Sequence, residues 1–380
     1  QPVQATFGVN IDSPRGDVKN EAYAVFGEVN YRFTDQLALN FGVRQSWDKR
    51  EVTVKNQFRI LSIPVPLECN VFPEGVQGGV PPFINGALPE DACARTVDES
   101  FSSPTWRLGL SYDVRDNMML YGSVSTGYRT GGFNLRGNND ATLVPFDEET
   151  VLNYEIGHKT DWELGSSASM RTNLALFVQK YDDIQKTDAV AVEGVIGTTT
   201  INAGKATIAG GELEVWILPT ANLEIGLSYA YVDAEYDDWI ENGVDVSDRP
   251  FTYVPKHTGT ASISYTLPLD PGLGDISLQA SYYYAGKQAL STTILSNDQV
   301  PDLSPEAFKR ATRQDSYGVS DFRIDWARFL DSDVDIAAWV KNASDEQYVV
   351  GGLEVLRDLG LAAFVYGLPR TWGVSVNYNF

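Results

Sequence analysis

Two histidines, His158 and His257, are the residues of this 380-residue sequence best suited to acid–base catalysis or metal binding near neutral pH. His158 falls toward one end of a predicted strand, whereas His257 begins another predicted strand at the opposite end. Because a strand rises about 3.3 Å per residue, these ends are expected to lie roughly 20 Å or more apart. The sequence therefore argues against a shared metal site or a two-histidine catalytic pair. A Ser–His–Asp triad needs no closeness in sequence, but no nucleophile-elbow motif supports one.

Cys69 and Cys93 are the only cysteines, and both fall in a segment rich in Pro and Gly. In an oxidising compartment they are expected to form a disulfide that restrains this segment rather than to perform chemistry. Two free, buried thiols are the alternative. Two cysteines and two histidines also make a zinc module improbable, and we expect no metal site.

Asp331, Asp333 and Asp335 imitate the beginning of a calcium-binding loop. The sixth position is Ile336 rather than Gly, and the twelfth is Asn342 rather than Glu, so the match fails. We expect these carboxylates to face water at a turn. None of the candidate groups forms a catalytic constellation, and the sequence does not indicate an enzyme or a cofactor.

The composition narrows the classes of protein that could position these residues. With 51 Asp+Glu against 29 Lys+Arg, the formal net charge is −22, so the chain would repel nucleic-acid phosphates. Hydrophobic residues make up 43 % and aromatic residues 12 %, which excludes a disordered chain. The sequence contains no run of about 18 apolar residues, so it predicts no membrane-spanning helix. The mean hydropathy of −0.21 suits either a soluble protein or a membrane barrel, whose apolar residues alternate with polar ones.

Several segments alternate with period two over about ten residues, the length that a tilted strand needs to cross a bilayer. In one of them Leu223, Ile225 and Leu227 share a face, and Glu224 and Ser228 lie on the other. The apolar faces often end in Tyr, Trp or Phe, as an aromatic girdle at a lipid–water boundary would. The opposite faces are too polar for a dry core. The pattern predicts strands with one face toward lipid and the other toward water.

The connections between these segments alternate between short and long. The long ones are 48–104, 130–149, 187–200, 234–255, 291–316 and 345–366. An up-and-down meander with brief turns on one side of a membrane gives this rhythm, whereas a Greek-key sandwich does not. We count about thirteen strands from Ala22 onward, or fourteen with one near Thr6–Asn10. The sequence therefore predicts an all-β fold, a transmembrane antiparallel up-and-down β-barrel of about 13–14 strands or part of a larger one.

Several motifs occur in the order found in one family. They are YGSVSTGYRTGGFN (121–134), FDEETVLNYEIGHKTDW (146–162), LALFVQKYDDIQ (174–185), NAGKATIAGGELE (202–214), VKNASDEQYV (340–349) and YGLPRTWGVSVNYNF (366–380). Together they resemble the barrel of TonB-dependent outer-membrane receptors, from mid-barrel to the C-terminal aromatic residue. That family has 22 strands and an N-terminal plug with a motif for the TonB energy transducer, and neither the plug nor the motif is seen here. We expect residues 1–380 to be a barrel portion without a plug, and 48–104 to be a long extracellular loop.

The resemblance implies a bacterial outer-membrane receptor that takes up a scarce, bulky nutrient, most often a ferric siderophore complex, by TonB-coupled active transport. The implied partners are a TonB-type transducer acting through a plug outside this chain, outer-membrane lipid and lipopolysaccharide. The remaining barrel strands would come from missing sequence or from another chain. Two alternatives stay open: a passive porin of about 14 strands, or a soluble β-rich lectin or enzyme.

Five residues at or above the outer rim of the predicted barrel are candidates for substrate contacts: Arg129, Phe133, Asn134, Arg136 and Trp239. Aromatic side chains and arginine dominate recognition surfaces. For any one of the aromatic residues, anchoring the barrel at the membrane boundary is the alternative role.

Overall fold

The computed structural model describes residues 10–12, 15–55, 57–60, 68–69, 94–134, 143–165, 167–192, 195–241, 243–292, 304–355 and 361–380. Within these ranges, thirteen strands form one antiparallel sheet in which each strand pairs with its neighbours in chain order. They are β1 (Arg15–Arg32), β2 (Leu37–Lys55), β3 (Ala94–Arg115), β4 (Met118–Arg129), β5 (Glu149–Glu163), β6 (Ser169–Asp182), β7 (Lys205–Thr220), β8 (Leu223–Asp238), β9 (His257–Thr266), β10 (Asp275–Ala285), β11 (Tyr317–Ala327), β12 (Val334–Lys341) and β13 (Thr371–Tyr378). The predicted meander and strand count are confirmed.

Smaller elements lie in the connections. Three hairpins pair Gln185–Val192 with Val195–Asn202, Ile240–Glu241 with Val244–Asp245, and Val349–Val355 with Leu361–Tyr366. Short ladders join Asn10–Asp12 to Gln57–Ile60, Gln57–Ile60 to Glu68–Cys69, Gly132–Phe133 to Pro145–Phe146, and Gln288–Ala289 to Arg313–Gln314. Helix α1 (Pro305–Thr312) begins after Ser304, whose hydroxyl accepts a hydrogen bond from the Ala307 amide. Single 3₁₀ turns occupy Pro271–Leu273 and Phe329–Asp331. No helix in the described ranges is long and apolar enough to cross a membrane.

The short and long connections alternate strictly, so all the long ones leave the same end of the sheet. We call this the outer end. β2 continues to Lys55 and β3 begins at Ala94, so both strands extend well into the segment 48–104 that the sequence assigns to a loop. Long strands here are consistent with the alternation of Val52 and Val54 with polar residues. Cys93 lies outside the described residues, so its disulfide with Cys69 stays a prediction.

The register of the sheet separates an apolar face from a polar face. On β8 and β9, Ile225 lies opposite Ile263 and Leu227 opposite Ala261, whereas Glu224 lies opposite Ser264. Leu227 and Ile263 are each 45 % exposed, so the apolar face covers the outside of the sheet and not a dry core. The same parity continues to β13, where Asn377 lies opposite Asp335 on the polar face. This arrangement confirms the predicted inversion, which only a lipid environment stabilises.

Aromatic side chains lie across glycines of the neighbouring strand at four places on the polar face. The directly opposed pairs are Tyr121–Gly157, Phe177–Gly210, Trp216–Gly226 and Trp339–Gly373. A Cβ placed on any of these four glycines would come within 2.7–2.8 Å of the facing ring. The missing side chain therefore lets each ring approach the backbone of the next strand closely.

Buried apolar side chains in the described residues concentrate at the outer end. One cluster contains Val52, Val54, Phe133 and Leu143. A second contains Ile184, Ala203, Ala206, Tyr236 and Trp239. Within the described residues, these packed clusters thus lie in and beneath the long connections.

Candidate functional site

The outer rim, defined as the described parts of 130–148, 183–204, 239–256, 286–316 and 342–370, stands above the polar face of the sheet. Neighbouring connections are joined to one another through side chains. Connections from distant parts of the sheet also approach one another, since the hairpin strand Gln185–Val192 comes within 8 Å, Cα to Cα, of Val349–Val355. The rim is therefore the place where a ligand arriving from outside would first meet an ordered surface.

Three amide side chains tie the connection after β4 to the connection after β6. Asn202 donates to the carbonyls of Asp147 (3.0 Å) and Asp183 (2.9 Å) and accepts from the Asp147 amide at 2.8 Å. The side chain of Gln185 donates to the carbonyl of Asp147 at 3.0 Å, and the backbone amide of Gln185 donates to the Glu149 carboxylate at 2.6 Å. These bonds satisfy backbone groups that the sheet no longer pairs.

Asn134 makes the third of these links. Its side chain accepts from the Thr200 amide at 2.6 Å and donates to the Thr199 hydroxyl at 3.1 Å and the Thr200 carbonyl at 3.2 Å. Phe133 beside it packs against Val52 and Val54 of β2. Both side chains are 9 % exposed, so they hold the rim in place and present little surface of their own.

Asn342 and Asp345 organise the connection between β12 and β13. Asn342 is 3 % exposed and adopts a left-handed backbone conformation, with φ of 49°. Its side chain donates to the carbonyls of Glu346 (2.9 Å) and Leu368 (3.0 Å) and accepts from the Glu346 amide at 2.8 Å. Asp345 accepts from the Arg370 amide at 2.9 Å. These side chains thus satisfy local backbone groups beyond the end of β12.

The connection between β8 and β9 folds around Trp239. This side chain is 1 % exposed and packs at 4.7 Å, ring to ring, from Tyr236, which stacks in turn on Phe251 at 4.2 Å. The Arg249 guanidinium lies 4.9 Å from the Trp239 ring and donates to Glu241 at 2.6 Å. A cation between an aromatic face and a carboxylate is held from both sides, so this connection is rigid.

Electrostatic contacts in the rim follow the same pattern. The Ser247 amide and hydroxyl donate to Asp245 at 3.0 and 2.7 Å and lower the pKa of that carboxyl. The Lys309 ammonium, 2.8 Å away, lowers the pKa of Asp315. Burial raises the pKa of Tyr253. All three shifts favour the charge state that these groups have at neutral pH.

The polar face below the rim contains two open cavities. One of about 960 Å³ is bordered by Glu28, Arg107, Tyr121, Glu155 and Lys159. The other, of about 690 Å³, is bordered by Trp216, Glu224, Gln279, Arg323 and Lys341, among other residues. Carboxylates, guanidinium groups and indole rings in these walls can bind a polar molecule through hydrogen bonds, charge and stacking.

The five predicted contact residues are placed differently from one another. Arg129 is exposed at the outer end of β4. Phe133 and Asn134 lie in the packed rim, and Trp239 forms the centre of a separate cluster. Arg136 lies outside the described residues. The structure thus brings Phe133 and Asn134 together and separates them from Trp239, and their role in binding stays a prediction.

Other rim residues were not identified from sequence. Gln185 and Asn202 belong to the quoted motifs DDIQ and NAGKAT, so the motifs could have identified both residues. An aromatic cluster at the outer end was also missed: Tyr317 stacks on Tyr348 at 4.7 Å and meets Tyr283 edge-on at 6.1 Å. These tyrosines are far apart in sequence, and only the pairing of β10 with β11 brings two of them together.

The two histidines lie toward opposite ends of the sheet, as the strand directions predict. His158 is near the inner end of β5 on the apolar face, with its ring 3.3 Å from the Thr172 hydroxyl. His257 begins β9 at the outer end, with Nδ1 2.7 Å from the Tyr229 hydroxyl. Asp335 accepts from the Arg328 amide at 2.8 Å, as expected of a turn. Among the residues the structure describes, no three His, Cys, Asp or Glu side chains are grouped to hold a metal ion.

Comparison with known proteins places these features in a family. Residues 1–343 match the family described as "TonB dependent receptor-like, beta-barrel". The pesticin receptor of Yersinia enterocolitica (serotype O:8 / biotype 1B) is 22 % identical over 376 residues, covering 97 % of this chain and 45 % of that receptor.

Solved structures show the same fold. The ferric yersiniabactin uptake receptor FyuA from Yersinia pestis superposes with a TM-score of 0.70 at 19 % identity, over 97 % of this chain and 47 % of FyuA. The siderophore receptor PiuA from Acinetobacter baumannii gives a TM-score of 0.63 at 19 % identity, over 96 % of this chain and 44 % of PiuA. The chain therefore spans slightly less than half the length of the relatives it matches.

Members of this family are receptors and transporters of the bacterial outer membrane, and the family is not one of enzymes. The family match covers most of the chain, and the thirteen-stranded meander has the apolar exterior and polar interior that such a location requires. The chain belongs to the TonB-dependent receptor β-barrel family and forms part of an outer-membrane barrel.

Proposed function

We propose that the chain is the barrel portion of a receptor that imports a ferric siderophore complex by TonB-coupled active transport. The observation that carries this proposal is the outer rim, in which Asn134, Gln185 and Asn202 fix separate connections above a polar wall. A pre-ordered surface loses less conformational entropy when it binds a bulky ligand than loose loops would. The ferric yersiniabactin uptake receptor FyuA and the siderophore receptor PiuA, which have the same fold, support the substrate class.

In this proposal residues 1–380 supply barrel wall and rim. A plug and the remaining strands come from sequence outside the chain, and a TonB-type transducer acts through that plug. Segment 48–104 is extracellular and is restrained by a Cys69–Cys93 disulfide. The chain binds and conducts its substrate without catalysing a reaction, and lipid and lipopolysaccharide surround it.

The five predicted contact residues take two roles. Arg129, which is exposed, contacts the ligand directly, and Arg136 is proposed to do the same. Phe133, Asn134 and Trp239 act indirectly, because their buried side chains set the shape of the rim.

The test is uptake by cells that produce the full-length protein in a strain without its own siderophore receptors. A panel of ferric siderophores that includes ferric yersiniabactin is supplied under iron limitation. We expect uptake of at least one complex, and loss of this uptake when TonB is deleted. Arg129→Gln is expected to weaken binding by about 10- to 150-fold, since a charged contact contributes about 1.5–3 kcal/mol. Arg115→Gln, at the opposite end of the sheet, is the matched control.

The passive porin predicts a different result. A porin would give a steady conductance in planar bilayers and uptake that is independent of TonB. Either result with the full-length protein would contradict the proposed active transport.

A further inference from the structure

The polar face of β9 carries a hydroxyl group at every one of its positions, because each residue on that face is Ser or Thr. The neighbouring strands continue this pattern. Ser228 of β8 lies opposite Thr260, and Ser281 of β10 lies opposite Ser262. We define six of these hydroxyl-bearing residues as the hydroxyl track: Ser228, Thr258, Thr260, Ser262, Ser264 and Ser281.

The hydroxyl track extends from the outer end of the sheet toward the inner end. Thr258 follows His257, where β9 begins, and Ser264 lies two residues before Thr266, where β9 ends. With a rise of about 3.3 Å per residue, the stretch from Thr258 to Ser264 spans about 20 Å. Its inner part borders the cavity of about 690 Å³, a size that suits a small organic ligand. The track thus leads from the rim into this cavity.

The wall along the hydroxyl track is lined by small side chains. Ala230 lies opposite Thr258, and Gly226 lies opposite Ser262. A Cβ on Gly226 would come within 2.6 Å of the Ser262 Oγ. Where β8 pairs with β9, both of which are fully described, Glu224 is the only charged residue on the polar face. A bulky molecule can therefore lie close to the backbone along this strip.

Hydroxyl groups hold a passing molecule more weakly than charged groups do. Hydrogen bonds with an ionised partner are roughly twice as strong as those between neutral groups. The cavity bordered by β1 to β5 has charged side chains in its wall, among them Glu28, Arg107 and Lys159. Conduction requires contacts that favour entry, occur at several positions and still permit release. The hydroxyl track meets this requirement better than the charged wall does.

We propose that the hydroxyl track is the path along which the imported complex moves from the rim to the inner end of the barrel, between this part of the wall and the plug. The inference rests on the proposed function, because it requires an imported substrate and a plug outside this chain. Each hydroxyl can donate one hydrogen bond and accept others. The path therefore suits a complex whose surface presents carbonyl, hydroxyl or phenol groups.

The first test separates binding from transport with the variant Ser262→Trp of the full-length protein. Cells without other siderophore receptors are supplied with a ferric siderophore that the wild-type protein imports. Energy-depleted cells should bind this complex as wild type does, because the rim is unchanged. TonB-dependent uptake should be slower by about tenfold, because the indole ring occupies the track beside Gly226. Ser111→Trp, in the wall of the other cavity, is the matched control and should change neither quantity.

A second measurement adds the bulk after folding, so it also covers a failure of Ser262→Trp to fold. Ser281→Cys is expected to import the complex at the wild-type rate until the cells are treated with a bulky maleimide. The maleimide should react with the new thiol during transport and slow uptake by about tenfold. Wild-type protein treated in the same way controls for the native cysteines, and Ser111→Cys controls for position.

The outcomes distinguish this inference from the proposed function. Wild-type rates in both Ser262→Trp and labelled Ser281→Cys would overturn the hydroxyl track as the path and leave TonB-coupled transport intact. Equal slowing in the Ser111 variants would overturn it as well, since bulk anywhere on the polar face would then suffice. A thiol at residue 281 that stays unreactive during transport would contradict an open path. If the wild-type protein imports no ferric siderophore, the proposed function fails and this inference fails with it.

Discussion

Replacing Asn342 by alanine is expected to loosen the connection between β12 and β13 strongly. The buried side chain makes three hydrogen bonds to backbone groups of Glu346 and Leu368. Each such bond contributes about 1 kcal/mol net, so their loss costs about 3 kcal/mol. A further ~1 kcal/mol arises because alanine is disfavoured at the positive φ of residue 342. Glycine removes the same hydrogen bonds but accepts this backbone conformation.

The assay is hydrogen–deuterium exchange of the Glu346 amide in the folded full-length protein. The loss of about 3 kcal/mol in Asn342→Gly accelerates exchange by about 150-fold, and the loss of about 4 kcal/mol in Asn342→Ala by about 800-fold. Asn342→Gly should exchange roughly fivefold more slowly than Asn342→Ala, because it lacks the backbone term. Amides in 239–256 should be unchanged in both variants. The reasoning is refuted if Asn342→Ala exchanges within about threefold of wild type, or if the glycine variant exchanges as fast as the alanine variant.

Two further predictions concern the sheet and the rim. Gly226→Ala would place a Cβ 2.8 Å from the Trp216 ring, so guanidinium unfolding should show a loss of about 1–3 kcal/mol. Gly27→Ala is its control, since no described heavy atom lies within 4 Å of a Cβ there, and an equal loss in both would contradict the packing argument. The hydrogen bonds from Ser247 lower the pKa of Asp245. Protection of the Ser247 amide against hydrogen exchange should therefore be complete above pH 3.8, the ordinary pKa of an aspartate. This protection should fall as the pH drops through the lower pKa that Asp245 has in the folded protein. Protection of the Ser247 amide that does not fall as the pH is lowered, checked by exchange, would show that the charge on Asp245 does not hold the turn.

The sheet could be predicted from sequence because its main constraint is local. Alternation assigns Leu227 to lipid and Glu224 to water without knowledge of any partner strand, and the register agrees. The short turns likewise follow from local composition, as between β7 and β8. What alternation missed was the continuation of β2 to Lys55, since Pro- and Gly-rich sequence beyond it obscured the strand end.

The rim could not be predicted in the same way, because its contacts join residues distant in sequence. Phe133 and Trp239 were selected as aromatic residues at or above the outer rim that could contact a substrate, yet each packs in a cluster assembled from separate segments. Their burial depends on how neighbouring connections fold over one another. The amide of Asn134 likewise meets Thr200 only because two hairpins lie side by side.

The four contacts between an aromatic ring and a facing glycine affect the register of neighbouring strands, which the alternation of side chains does not determine. Sliding one strand past the next by two residues keeps every oily side chain outside and every hydrophilic one inside, so burial alone cannot reject the slipped arrangement. In the observed arrangement Trp216 faces Gly226, whereas a two-residue slip would set it against Glu224 or Ser228 and destroy the fit. Each of the four contacts therefore favours one stagger of its own strand pair over slipped arrangements that burial alone would leave nearly equal in energy.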